Sequence, residues 1–179
     1  MNFELACYVF FLYAVYVLMS ADFNMLDEQS TDIIIIERTP IVVLDTNVLV
    51  AGLCRREGSP SFKILKNIQA GNIPLALTQK LYLEYESVLT REKILRLIDA
   101  TIEDVRLVLD ALLAIGLRSN VHYLWRPNLL DEGDNFVLES AIASGALIVT
   151  KNIRDFRSGE LKFPELIVLT PPQFCDIYL

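Results

Sequence analysis

One histidine, His122, and three cysteines, Cys7, Cys54 and Cys175, are the whole supply of soft metal ligands in 179 residues. The cysteines lie 47 and 121 residues apart and form no C-x-x-C pair, so a zinc cluster is excluded. Any metal chemistry has to use oxygen ligands. Glycine and proline are sparse, at seven each, which excludes low-complexity and fibrous compositions. The isolated glycines make no G-x-G-x-x-G and no G-x-x-x-x-G-K, leaving nucleotide-cofactor and P-loop readings without support. A surplus of positive charge is missing too: the net charge of -7, read as one number, argues against a basic nucleic-acid footprint. What is present is 53% apolar and 22% charged residues, on a length that suits one domain with a short appendage.

The charge is unevenly placed. Residues 1–39 hold six acids and one base, Arg38, whereas residues 40–179 hold seventeen acids and fifteen bases, close to neutrality. Within the first segment, residues 5–19 are fifteen uncharged, aromatic-rich residues followed by a polar stretch. That run is short of the ~20 residues of a spanning helix, and Glu4 stands where a signal peptide wants a basic start. The remaining readings are an apolar helix lying on the body, a translation start at Met19 or Met25 that makes the segment an upstream artefact, or a membrane anchor. None of them carries chemistry, so residues 1–39 are set apart from the body at 40–179.

In the body, residues 41–44 are a continuous β-branched run ending in Asp45, the pattern of a central parallel strand. A similar run at 33–36 is cut off from it by Pro40. A loop with Gly52 and Gly58 follows, then Ser59-Pro60 predicts a helix start, with Gly71 closing it near Ala70. Further strands are predicted at 73–77, 121–125, 146–149 and 166–169. Helices are predicted after Thr78 with apolar face Leu81, Tyr85 and Val88, around Ile94, Leu95 and Ile98, after Thr101 with Asp104 as a capping partner, at 134–144, and after Thr170-Pro171-Pro172. Alternating strands and helices define an α/β class with a mostly parallel sheet.

Ligands of such sheets sit at the carboxyl ends of strands, and Asp45 stands at one. By itself it reads as a loop-entry residue forming an Asx-type turn with Thr46 and Asn47. Glu84 shares the helical stripe of Leu81, Tyr85 and Val88, so it is predicted to face the core and to need a cation, a donor network or a metal. Glu86 projects about 200° away and reads as a surface acid. Asp134 shares a stripe with Val137, Leu138 and Ala141; its plain alternative, like that of Asp131, is a helix cap or dipole partner. Asp155, in Lys151-Asn152-Ile153-Arg154-Asp155, could be a turn residue. Together, Asp45, Glu84, Asp134 and Asp155 fall along one sheet edge, where converging carboxylates need a divalent cation such as Mg²⁺ or Mn²⁺. Phosphodiester hydrolysis uses sites of that kind.

Four stretches now fit a known pattern. Val43-Leu44-Asp45-Thr46-Asn47-Val48-Leu49-Val50, Leu83-Glu84-Tyr85-Glu86-Ser87-Val88-Leu89, Asp131-Glu132-Gly133-Asp134-Asn135-Phe136-Val137-Leu138-Glu139-Ser140-Ala141 and Ile148-Val149-Thr150-Lys151-Asn152-Ile153-Arg154-Asp155-Phe156 resemble, in order and spacing, the acidic motifs of PIN-domain ribonucleases. The likeness is strongest to the VapC-like toxins of toxin-antitoxin pairs and covers residues 40–179. It implies a three-layer fold with a mostly parallel central sheet flanked by helices, and a cytoplasmic endoribonuclease using Mg²⁺ or Mn²⁺. Asp45, Glu84 and Asp134 would form the carboxylate core, and Asp155 a fourth acid often acting through water. Asn47, Thr150 and Asn152 would be supporting polar residues. A small antitoxin protein and a second copy of the chain are the implied partners, and no membrane role is expected. Two positions depart from the common pattern: Asn135 replaces an acid often seen beside the third motif's aspartate, and Asn152 stands where many members carry aspartate, which lowers the expected metal affinity.

If RNA is the substrate, Arg55, Arg56, Lys151, Arg154 and Arg157, all on loops after strand ends, are the candidates for phosphate contacts; solvated loop charge is the plain alternative for each. His122 reads as a packing or surface residue. A phosphatase with an aspartyl nucleophile, of the haloacid-dehalogenase type, would need D-x-D where the chain has Asp45-Thr46-Asn47. From a different class, a catalytically silent RNA-binding or antitoxin-binding module, or a membrane-tethered interaction protein, remains open.

Overall fold

Residues 39–120, 129–157 and 163–179 are described by the computed structural model, Arg157 through its backbone alone. In chain order their elements are β1 (Val42–Leu44), α1 (Thr46–Leu53), α2 (Pro60–Gln69), β2 (Ala76–Leu77), α3 (Gln79–Leu89), α4 (Glu92–Ile98), α5 (Ile102–Ile115), β3 (Leu117–Arg118), α6 (Glu132–Ser144), β4 (Leu147–Val149), a 3₁₀ turn (Asp155–Arg157), β5 (Val168–Leu169) and α7 (Pro171–Tyr178). The runs at 5–19 and 33–36, the strand predicted at 121–125 and His122 lie outside the described residues.

All three residues of β1 are buried, as its unbroken apolar run requires of a strand covered on both faces. β4 pairs beside it in parallel, Val43 opposite Ile148, and β5 pairs in parallel with β4. On the other side, a parallel bridge from Val42 to Leu75 and a 2.9 Å bond from the Val42 N–H to the Pro74 carbonyl bring in β2, itself parallel to β3. The order across is therefore β3-β2-β1-β4-β5, every pairing parallel, with β1 at the centre. This is the three-layer α/β arrangement expected from the sequence. Val42, Val43, Leu44, Ile148 and Val149 form the middle of the apolar core, joined by Leu81, Tyr85 and Leu89 from α3 and by Val137, Leu138 and Ala141 from α6.

The caps follow the predicted chemistry with instructive exceptions. Thr101 and Asp104 make a full capping box on α5, the Thr101 N–H donating to Asp104 Oδ2 at 2.9 Å. α6 ends on Gly145 at φ +62°, the left-handed conformation that suits glycine. Ser59 sits at the start of α2 without a side-chain cap bond, leaving Pro60 as the local start signal. The stretch after Asp45, read from sequence as a loop, is the helix α1, which buries Val48, Leu49, Gly52 and Leu53. Gly52 lets α1 lie flush on α2: a Cβ there would meet the Ser61 carbonyl oxygen at 3.0 Å and Leu65 at 3.1 Å. Among the described residues no helix is long and apolar enough to cross a membrane.

Candidate active site

Asp45 is where β1 stops and α1 starts. Its N–H still completes the ladder, donating to the Val149 carbonyl at 2.9 Å, while its side chain already caps the helix by accepting from the Asn47 N–H at 3.3 Å. Oδ2 also accepts from the Thr150 hydroxyl and from Asn47 Nδ2, both at 2.6 Å. Only 6% of Asp45 is exposed. Burial pushes its carboxyl pKa up, the bonds from Thr150 and Asn47 oppose that, and the Asp155 charge adds to it, with a net rise. Thr150 is itself fixed: its N–H donates to the Leu169 carbonyl, and its hydroxyl accepts from the Asn152 N–H, each at 2.9 Å. Asn47 Oδ1 accepts from the Lys151 N–H at 3.2 Å, so one amide ties the loops after β1 and β4 together.

α3 brings Glu84 to the same place, though not as the sequence pattern suggested. Leu81, Tyr85 and Leu89 are buried, whereas Glu84 and Val88 are half-buried and line a pocket. Glu84 thus faces an accessible cavity and is no buried charge in search of a partner. Tyr85 is fully inside and its hydroxyl donates to the carbonyl of Leu44, the residue before Asp45. Burial and then the Asp45 charge hold that phenol well above its usual pKa, so it stays a donor. At the head of α3, the Thr78 hydroxyl accepts from the Leu81 N–H and stands 2.7 Å from Ser140 Oγ, which donates to the Phe136 carbonyl. These bonds fix α3 against both β1 and α6.

α6 begins two residues before the predicted position, at Glu132, with Asp131 as its cap accepting from the Gly133 N–H at 2.7 Å. Asp134 lies in the first turn. Asn135, the apparent departure from the acidic pattern, is buried and structural: it accepts from the Leu129 N–H at 3.0 Å and donates to the Leu129 and Asp131 carbonyls at 3.2 and 3.1 Å. An aspartate could not supply those donated bonds. Gly133 is a spacer, since a Cβ there would lie 3.1 Å from Asp131 Oδ1 and 3.3 Å from Glu84 Oε1. Gly133→Ala is therefore expected to displace both carboxylates while leaving thermal stability near that of the native chain, because the better helix propensity of alanine, about 1 kcal/mol, offsets the strain on the Asp131 cap. Melting curves would check this, and a large fall in melting temperature would contradict it.

Asp45, Glu84, Asp131 and Asp134 all line one pocket of about 380 Å³. The crowding shows in Asp134, whose pKa is raised to about 7 by burial and then by the charges of Asp45, Asp131, Asp155 and Glu84. Asp155, on the 3₁₀ turn, accepts a bond from Asn152 Nδ2 and acts on Asp45 and Asp134 through its charge without lining the pocket. Asp131 is the acid that the sequence assigns only to capping; its place three residues before Asp134, at the cap of the same helix, is the available signal. Of the candidate bases, Lys151 lines the pocket. Arg55 and Arg56 follow Cys54, the C-cap of α1, beyond a helix roughly 12 Å long at 1.5 Å per residue that starts at Asp45. Arg154 is exposed and outside the pocket lining, and the Arg157 side chain is outside the description.

Among the described residues no three carboxylates close on a common point. The donor set nonetheless suits a hard divalent cation, being all oxygen and carrying one acid whose ionisation is suppressed by burial and then by its acidic neighbours.

The PIN-domain family profile matches residues 41–154, and the chain belongs to the PIN-domain family. Among solved structures it is similar to a chain of VapBC2 from Rickettsia felis, captured bound to a DNA fragment from their promoter. That likeness is 20% identical, covers 73% of this chain and 98% of that one with a TM-score of 0.50, and speaks to the fold. No curated protein matches the chain.

Proposed function

We propose that the chain is an endoribonuclease that uses Mg²⁺ or Mn²⁺ at Asp45, Glu84 and Asp134, with Asp155 adding its charge from the neighbouring turn. PIN domains are generally nucleases, and the observation that carries the reading is that Asp45, Glu84, Asp131 and Asp134 line one pocket together with Lys151; the pKa of Asp134, raised by burial and then by its acidic neighbours, is consistent with that crowding. A bound divalent ion supplies activation of water and stabilisation of the leaving oxygen in phosphodiester hydrolysis. The chain's own residues do the rest. Thr150 and Asn47 aim the Asp45 carboxylate, Tyr85 and Ser140 hold α3 and α6 in place around it, and the Lys151 ammonium offers a phosphate contact. Asp134, whose pKa is raised to about 7 without an ion, gives up its proton when it becomes a ligand.

In this reading residues 40–179 are the nuclease domain of a cytoplasmic toxin that pairs with a small antitoxin protein and forms a homodimer, as its resemblance to VapC-like toxins suggests. Residues 1–39 are a separate segment. The test is cleavage of a mixed structured RNA pool by the purified chain, with Mn²⁺ or Mg²⁺ against EDTA. Cuts that require the ion are expected. Cleavage indifferent to EDTA would overturn the metal assignment, and no cleavage by folded, ion-binding protein would overturn the ribonuclease.

A further inference from the structure

The pocket holds a second chemistry beside its acids. Val88 lies one helical turn from Glu84 on α3, half-buried and lining the cavity, and it stands outside the core cluster that Leu81, Tyr85 and Leu89 join. Val50 from α1 and Ile94 from α4 line the same cavity. Val50 and Ile94 also pack against the core, which accounts for them; neither the core nor a phosphodiester group gives a reason for Val88 beside Lys151 and the carboxylates. A valine that the core does not use, in a cavity otherwise rich in charge, is matched by a ligand that has an apolar face next to its anionic group. A nucleotide has that composition, with a flat base one sugar away from the phosphate.

We propose that Val88, with Val50 and Ile94, forms the subsite for the base of a nucleotide adjoining the scissile phosphate, and that Val88 selects which base is accepted. The inference rests on the ribonuclease reading above and adds a specificity-determining wall to it. None of the three side chains can donate or accept a hydrogen bond, so selection on this wall works through size and apolar contact. A base stacked within a helix has both faces covered, so only an unstacked one can lie against the wall. Cuts therefore fall in unpaired stretches, with the preference set by the base that fits the gap beside Val88.

The experiment uses the full chain with Mn²⁺ and an RNA pool carrying a randomised single-stranded loop, with the cut ends sequenced and KM and kcat measured on one preferred loop. Val88→Thr keeps the shape of the side chain and makes it polar, and Val88→Phe fills the gap. With Val88→Thr, KM is expected to rise at least about fivefold with a smaller change in kcat, and Val88→Phe should shift the cut sites toward smaller bases. The same loop annealed to its complement should go uncut. Native cleavage whose KM and base distribution are unchanged in both variants would overturn this inference alone. Absence of cleavage by the native chain would overturn the ribonuclease reading, and this inference with it.

Discussion

Asp45→Asn is expected to abolish RNA cleavage while leaving the fold in place. The substitution keeps the shape of a side chain that is almost wholly buried, and asparagine is as good a helix cap as aspartate, so α1 keeps its start. What it removes is the charge and one of two equivalent acceptors. Oδ2 now takes bonds from both Thr150 and Asn47, while Oδ1 takes the Asn47 N–H, so an amide at this position must turn its NH₂ toward at least one existing donor. That cost is about 1–2 kcal/mol. Against it stands the relief of a carboxylate whose pKa burial has already raised, so the net change in stability is small. The loss of activity should exceed the ~10–100-fold typical of outer-shell substitutions at metal sites, because the proposed function makes Asp45 a ligand itself. Circular dichroism with a cleavage assay decides the matter, and an active Asp45→Asn protein would remove Asp45 from the site.

The second large effect is on pH. Asp134 moves from an ordinary value of 3.8 to about 7 in the folded chain, so the folded state holds this proton more tightly than the unfolded state does. Stability from this group is complete below about pH 4 and is lost as pH rises toward 7, where the carboxylate ionises among its neighbours. Asp45, also raised, acts in the same direction. A divalent cation competes with that proton. Mn²⁺ affinity is accordingly expected to climb by up to about tenfold per pH unit between pH 5 and 7, then flatten, because one proton must leave before the acid can bind. The ion should also raise the melting temperature more at pH 8 than at pH 5. Titration calorimetry across that range would show the slope. Affinity flat from pH 5 to 8 would mean that Asp134 is no ligand.

Much of this was legible in the residues. The run at 41–44 had to be a central strand because nothing in it could face water; Asp45 stood out because it ends that strand, and Glu84 and Asp134 because each shares a helical stripe with apolar residues, and the structure sets all three along one pocket. Helix α1 was not legible. Its eight residues include three β-branched residues and a glycine, and its stability comes from packing on α2, where Gly52 allows contact; propensity within so short a stretch says little. That one miss also displaced Arg55 and Arg56, which a loop would have left near Asp45 and a helix carries away from it. Val88 was placed in the core for a related reason: periodicity shows which side of a helix is apolar, while only the neighbouring elements decide whether that side meets core or cavity. Asn135 shows the converse, where an apparent gap in an acidic motif is a backbone clamp that an acid could not make.

Two of the pocket's carboxylates, those of Asp45 and Asp131, are also the first fastening of a helix. A descendant of this chain that abandoned its chemistry would still need Asp, Asn, Ser or Thr at both places to start α1 and α6, so their persistence would be a poor witness to activity. Glu84 fastens nothing. Drift at that position, in a lineage that keeps the other two, is where inheritance of the fold would first part company with inheritance of the reaction.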